Sequence, residues 1–197
     1  MAMTMCKFSL KALSPYSGSR RTDHFLPKKD KEKPDEYEKR TWKSKFYWDE
    51  KKGYMYIPSI QFIKALQSTA SYLGEKVKGK GQSTWAKNFR AGVTCLEEQG
   101  IVLPDVTEDN VQCIQCLCDS QGKKGGKGGS QVMRTFPIIS EWEGDLTLAI
   151  IDKTIDPELL ERYLSEAGLI NGIGRWRPQN GGMNGRFVVN SMKVTSR

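Results

Sequence analysis

The chain has 197 residues, of which 38% are hydrophobic and 27% charged, and it carries a net charge of +8. That suits one domain with a real core and long polar loops. No apolar run approaches the roughly 18 residues of a membrane span, the first dozen residues lack the apolar core of a secretory leader, and five cysteines, an odd number, do not make a secreted disulfide framework. A cytoplasmic protein without a membrane partner is the expectation.

Residues 6–13 alternate, with Cys6, Phe8, Leu10 and Ala12 set against Lys7, Ser9 and Lys11, which predicts a half-buried strand. Pro15 and Gly18 then turn the chain. Residues 20–45 form a mixed-charge arm or loop insertion too polar to bury much. Residues 44–48 and 53–57 read as a hairpin. Pro58 opens a helix with Ile60, Ile63, Leu66, Ala70 and Leu73 as its apolar stripe and Gly74 as its stop.

A Gly- and Lys-rich stretch with Trp85 and Phe89 follows. Residues 111–118 and 131–139 predict two strands, joined by a flexible Gly/Lys tip over 119–131. Residues 145–151 predict another strand. Asp156 caps a second helix with Pro157 in its first turn, Leu160, Tyr163, Leu164 and Ala167 as its stripe, and Gly168 as its end. A glycine-rich segment leads into a last strand near 186–194. The order predicts an α+β chain, a ferredoxin-like βαββαβ domain over residues 1–197 with long basic loop insertions.

Charge is segregated along this order. Residues 76–94 hold Lys76, Lys78, Lys80, Lys87 and Arg90 and no acid. Residues 97–119 hold six acids and no base. Lys123, Lys124, Lys127 and Arg134 follow without an acid, and after Glu166 only basic charges remain, including Arg175, Arg177, Arg186 and Lys193. Acid-free basic clusters, two of them mixed with Trp, attract polyanions. The ordinary alternative is a set of solvated loops.

The stretch from Gly172 to Gly185 bears most on function. Gly172-Ile173-Gly174 follows a helix and precedes a strand, the reverse of a dinucleotide fingerprint. A glycine-rich backbone surface fits better, with Arg175 and Arg177 supplying charge and Trp176 a stacking face for a base; the alternative is a structural loop around one buried Trp. Cys113, Cys116 and Cys118 with His24 raise a zinc site, but alternation puts Cys113 on the opposite strand face, so small buried side chains are the expectation. Cys6 and Cys95 read as buried thiols. With His24 the only histidine, His-based catalytic sites are hard to build, and neither a catalytic residue nor a cofactor is assigned.

Three segments in order resemble the RAMP superfamily, the RNA-binding backbone proteins of CRISPR effector complexes. Phe8 to Arg21 resembles the family's opening strand and Ser/Gly turn. Tyr56 to Leu66 resembles its Ile-Pro-Gly-Ser helix start, with Ser59 in place of the Gly and Gln67 in place of the closing Arg. Gly172 to Phe187 resembles its C-terminal glycine-rich loop. The chain is also similar to small phage proteins with the same GIGR(W/F)RP ending.

The resemblance implies a modified, RRM-like ferredoxin fold and a single-stranded RNA lying along the first helix and the glycine-rich loop. It also implies a thumb-like hairpin, for which residues 119–131 or the 20–45 arm would serve, and head-to-tail assembly as a homo-oligomer or a ribonucleoprotein subunit. The turn residues Tyr16, Ser17 and Gly18 and the helix-start Ser59 join the interface on this ground. The full expectation is that Arg20, Arg21, Lys64, Arg175, Arg177 and Arg186, with Lys87, Arg90, Lys123, Lys124 and Lys127, meet phosphates, while Trp176 and Tyr16 stack or wedge bases. The other readings are a single-stranded DNA coat, a phage factor that mimics a CRISPR backbone subunit, and a metal-dependent ribonuclease using Asp23, Asp30 or Asp35.

Overall fold

The computed structural model describes residues 3–119 and 131–196. In chain order these form β1 (Thr4–Ala12), α1 (Pro34–Thr41), β2 (Tyr47–Trp48), β3 (Met55–Pro58), α2 (Ser59–Leu73), α3 (Trp85–Gly92), β4 (Val93–Thr94), β5 (Gln99–Leu103), β6 (Gln112–Asp119), β7 (Gln131–Ile138), β8 (Glu143–Ile150), α4 (Pro157–Ile170) and β9 (Phe187–Ser196). The class is α+β with antiparallel sheets, in line with the sequence. The Gly/Lys tip, with Lys123, Lys124 and Lys127, lies outside the described residues.

A four-stranded sheet in the order β4-β8-β1-β9 is the centre of the molecule. Every pairing in it is antiparallel, from Thr4↔Ile150 to Lys11↔Glu143 on one side of β1 and from Thr4↔Ser196 to Ala12↔Phe187 on the other. The alternation in β1 does what period two requires: Cys6, Phe8 and Leu10 are fully buried, while Lys7 and Lys11 are exposed. Burial, with Glu158 and Glu161 of α4 nearby, pushes the Cys6 thiol up to about 11. α4 packs on β9, α2 on α4, and α3 on α2, closing one continuous core.

Two smaller sheets lie beside this centre. The hairpin predicted at 44–57 is β2–β3, and β5 extends it to the order β2-β3-β5. β6 and β7 pair from Gln112↔Ile138 to Asp119↔Gln131. No helix among the described residues is long and apolar enough to cross a membrane.

Four expectations change. The buried face of α2 is Ser59, Phe62, Ile63, Leu66, Thr69 and Ala70, and Ile60 is 47% exposed. The helix is rotated because Phe62 carries more apolar surface than Ile60 and meets Trp142 and Phe187 edge-on. The stretch after Lys80 contains α3, whose Phe89 packs on Tyr163 at 4.8 Å. The 20–45 arm contains α1, with Glu38 and Thr41 buried against the rest of the fold. Cys95, just after β4, is only partly buried against the core, and on β6, which lies outside the core, Cys116 and Cys118 are partly buried and Cys113 is exposed.

α4 begins as predicted, the Asp156 carboxylate accepting the Leu159 N–H at 2.7 Å. It does not end at Gly168 but runs on to Ile170. Gly168 has another use: it is fully packed against β9, and a side chain there would collide with the Phe187 carbonyl. Gly168→Ala is therefore expected to cost about 2 kcal/mol and to lower Tm by roughly 4–8 °C. Thermal unfolding followed by circular dichroism checks this; an unchanged Tm would show that α4 can slide on β9.

Candidate nucleic-acid interface

The turn after β1 and the glycine-rich segment after α4 are stitched together through their backbones. Leu13 N–H donates to the Arg186 carbonyl at 2.9 Å, Gly185 N–H to the Pro15 carbonyl at 2.7 Å, and Arg175 N–H to the Ser17 carbonyl at 2.9 Å. On its other side Tyr16 exchanges two backbone hydrogen bonds with Ile139, just beyond β7. The contact between the two segments requires glycine at 174, where φ is +79° and any side chain would strike the Ser17 carbonyl and the Tyr16 ring. Gly172 and Gly174 are buried. Gly174 thus lets two stretches of the chain approach each other, while Gly172, Gly182 and Gly185 let the segment fold closely on itself.

This lock decides which predicted residues reach solvent. Tyr16 does not: its ring is fully buried 6.5 Å from Phe46, and its hydroxyl accepts from Gln61 Nε2 of α2 at 3.0 Å. Burial also drives its phenol well above the usual range. Stacking or wedging of a base by Tyr16 is corrected accordingly. Ser17 and Gly18 are buried beneath the same turn, Gly18 against the Lys45 carbonyl. Ser59 is 1% exposed and donates to the carbonyls of Glu97 and Glu98. These four residues shape the turn and the helix start from beneath.

The cations are better placed. Arg20 lies over the rings of Phe25 at 4.7 Å and Tyr47 at 5.9 Å. The Arg21 side chain is 81% exposed. Lys64 is exposed one turn along α2 from Gln61. Arg177 and Arg186 are half-buried, their Nε atoms donating to Gln179 at 3.1 Å and to the Leu169 carbonyl at 3.0 Å. Trp176, held at φ +55°, stacks one face on Phe136 at 5.4 Å and stays partly exposed. Lys87 and Arg90 are exposed on α3, which packs against α2 and β4.

Arg175 is not a free phosphate ligand. Its guanidinium donates to Glu38 of α1 at 2.8 Å and to the Thr135 carbonyl at 3.2 Å, and it lies 4.4 Å from the centre of the Phe136 ring. Glu38, 4% exposed, also accepts from Arg134 at 3.0 Å and from the Thr135 N–H at 2.8 Å. One carboxylate therefore joins α1, β7 and the glycine-rich segment.

Burial raises the Glu38 carboxyl, but the Arg175 guanidinium and the Thr135 N–H outweigh it and hold the group below its usual 4.5. Lys45, just after α1, is pushed down, first by burial and then by Arg175. Glu38 carries no sequence signal, since it sits in a run of charges that looks solvated, and Lys45 stands among aromatics, between Trp42 and Trp48, with nothing local to mark it as buried.

The open face of the central sheet offers no stacking platform. Opposite the core it presents Lys7, Ser9, Lys11, Asp145, Thr147, Ser191 and Lys193, with no aromatic side chain in those positions. Lys7 and Asp145 pair across it at 2.8 Å. Among the described residues no three Cys, His, Asp or Glu side chains are placed to hold a metal ion. Cys116 and Cys118 are neighbours, Sγ to Sγ 4.0 Å, on one face of β6.

No protein-family model matches the chain. No curated protein matches it either. Among solved structures it is similar to a chain in a cryo-EM structure of the Type III-B Cmr-beta complex bound to cognate target RNA, with a TM-score of 0.52 and 10% identity. The alignment covers 98% of this chain and 60% of that one, so this chain spans about three-fifths of its neighbour's length. At that identity the likeness is one of fold.

The Glu38 junction gives a pH signature. A carboxyl whose folded pKa lies below its unfolded value stabilises fully above the unfolded value, and this is lost as pH falls through the folded pKa. Glu38→Gln should cost about 3 kcal/mol at neutral pH, since two arginines lose their buried counter-charge. The stability gap between wild type and variant should then narrow steadily on acidification below about pH 4.5. Urea unfolding of both proteins from pH 7 to pH 3 measures it; a constant gap would mean that the carboxylate charge is not what holds α1.

Proposed function

We propose that this chain is a single RAMP-type domain that binds single-stranded RNA through its phosphates. The observation that carries this reading is the lock between residues 13–20 and 172–186 beside the start of α2. It holds Arg20, Arg177, Arg186 and Lys64 on one rigid frame, with Trp176 partly exposed among them. Two further facts support it. β1, α2, β4, β8, α4 and β9 succeed one another with the sheet in the order β4-β8-β1-β9, which supports reading the domain as ferredoxin-like with its second strand cut to Val93–Thr94. The structural neighbour belongs to a complex bound to RNA.

A phosphate-led contact releases counterions, so affinity should fall with salt by a slope of about −0.7 per phosphate on a single strand. Four such contacts predict a slope near −3, or about a 50-fold loss between 50 and 200 mM salt. Fluorescence anisotropy with a labelled 20-nucleotide RNA measures it, beside DNA of the same sequence. Lys64→Glu combined with Arg177→Glu should weaken RNA binding at least tenfold without moving Tm. No binding at 50 mM salt, or a slope near zero, would overturn the reading. Equal binding of DNA would make this a general single-strand binder.

A further inference from the structure

A bowl of about 370 Å³ lies between residues 19–23, Tyr37 of α1, Lys45 and Arg175. Four cations line it, Arg20, Arg21, Lys45 and Arg175, against one acid, Asp23. Among the described residues neither Arg20 nor Lys45 has a carboxylate within ion-pair distance. Glu38 does not discharge the bowl, because it is shared between Arg134, Arg175 and the Thr135 N–H. Lys45 shows the consequence: burial and the neighbouring Arg175 disfavour its charge. An anion in the bowl would offset the repulsion from Arg175.

The walls are fixed in place. Arg20 N–H donates to the Lys45 carbonyl at 2.9 Å, Arg175 N–H to the Ser17 carbonyl at 2.9 Å, and the hydroxyls of Thr22 and Tyr37 meet at 3.1 Å. Phe25 and Tyr47 lie beside the Arg20 guanidinium, and Phe136 beside that of Arg175. The bowl thus joins cations held by their neighbours to the Thr22–Tyr37 hydroxyl pair, one member of which keeps a free proton to donate. Tetrahedral oxyanions are recognised by that combination. Its size admits one phosphoryl group with part of its ester.

We propose that this bowl seats one phosphoryl group, held by Lys45 and Arg20, with Glu38 as the positioning residue that keeps the Arg175 guanidinium facing it. The inference deepens the RNA-binding reading and rests on it for the strand, where the seat would fix one backbone phosphate and so set the register of the RNA. The same chemistry would accept the phosphate of a free nucleotide.

The test uses the full chain, with Lys45→Met, which keeps the apolar stem, and Arg20→Gln. Inorganic phosphate at 20 mM, against chloride at equal ionic strength, should raise the wild-type Tm by about 2 °C and leave both variants unmoved. Without phosphate, Lys45→Met should match or exceed the wild-type Tm, since its charge is disfavoured there. Arg20→Gln should lose no more than about 4 °C with its contacts to Phe25 and Tyr47, and both should bind the 20-nucleotide RNA about tenfold more weakly. A larger shift from the dinucleotide ApA than from adenosine 5′-monophosphate supports the seat as one for a strand phosphodiester; the reverse supports it as one for a nucleotide monoester.

A phosphate response that is absent in the wild type, or undiminished in both variants, overturns the seat. If RNA binding by the wild type persists in that case, the RNA reading stands without it. A wild type that responds to phosphate through Lys45 but binds no RNA keeps the seat and removes the RNA reading. Lys45→Met that loses Tm yet keeps its phosphate response makes Lys45 a packing residue and also overturns the proposal.

Discussion

The arrangement of the basic surface depends on one buried carboxylate. Glu38 lies 96, 97 and 137 residues from Arg134, Thr135 and Arg175, and it binds all three. Taking an acid out of water costs several kcal/mol unless hydrogen bonds and opposite charge compensate it. Here two guanidiniums and a backbone N–H do so. The compensation orders a segment that hydrophobic burial could not: α1 has only Glu38 and Thr41 buried, and its sequence is almost wholly polar. Without that anchor, α1 would lose its ionic tie to β7 and to the glycine-rich segment.

The second constraint is the close approach of two backbones. Residues 13–17 lie between Ile139 on one side and residues 174–186 on the other, bonded to both. Side chains inside that layer, such as Tyr16 and Ser17, are lost to solvent, while those on its rim remain available. The division of labour follows from the geometry. Buried residues fix the loops, and arginines and lysines rooted on the fixed loops carry the charge. Exposed acids are spread over the molecule: Glu97, Glu98, Asp105, Glu108 and Asp109 lie around β5 and the turn after it, Asp23 lies beside Arg21, and Glu143 and Asp145 lie on β8.

Much of the scaffold was legible in the sequence, and the reasons are local. Period two in Cys6, Phe8 and Leu10 marks β1, the Asp156–Pro157 pair marks the start of α4, and the alternation in Leu146 and Leu148 marks β8. Each records hydrophobic burial or capping, which single residues report. The site was less legible because its key contacts are polar and distant in sequence. Glu38 looks like any member of a charged run, and Lys45 like any lysine of a hairpin strand, until Arg175 is brought beside them. Tyr16 was mistaken for a surface aromatic since nothing local shows that Phe46 and Gln61 enclose it. The glycines at 172–185 stand out in the sequence, but the contacts of Gly172, Gly174, Gly182 and Gly185 are internal: a backbone close enough for a phosphate is equally close enough for another stretch of chain.

The central sheet narrows how this fold can meet a nucleic acid. Single-strand binders with a four-stranded open sheet commonly stack bases on aromatic residues displayed across it. Here the corresponding positions hold Lys7, Ser9, Lys11, Asp145, Thr147, Ser191 and Lys193, and Lys7 is already paired with Asp145. A flat polar face without π-surfaces supplies little of the stacking energy such platforms use, about 1–3 kcal/mol per base. Stacking by Trp176 is limited as well, because Phe136 occupies one of its faces. What remains is charge on a rigid rim, and charge reads phosphates without reading sequence. On the proposed reading, a strand would therefore be held by its backbone on the basic loops and not by stacking on the sheet.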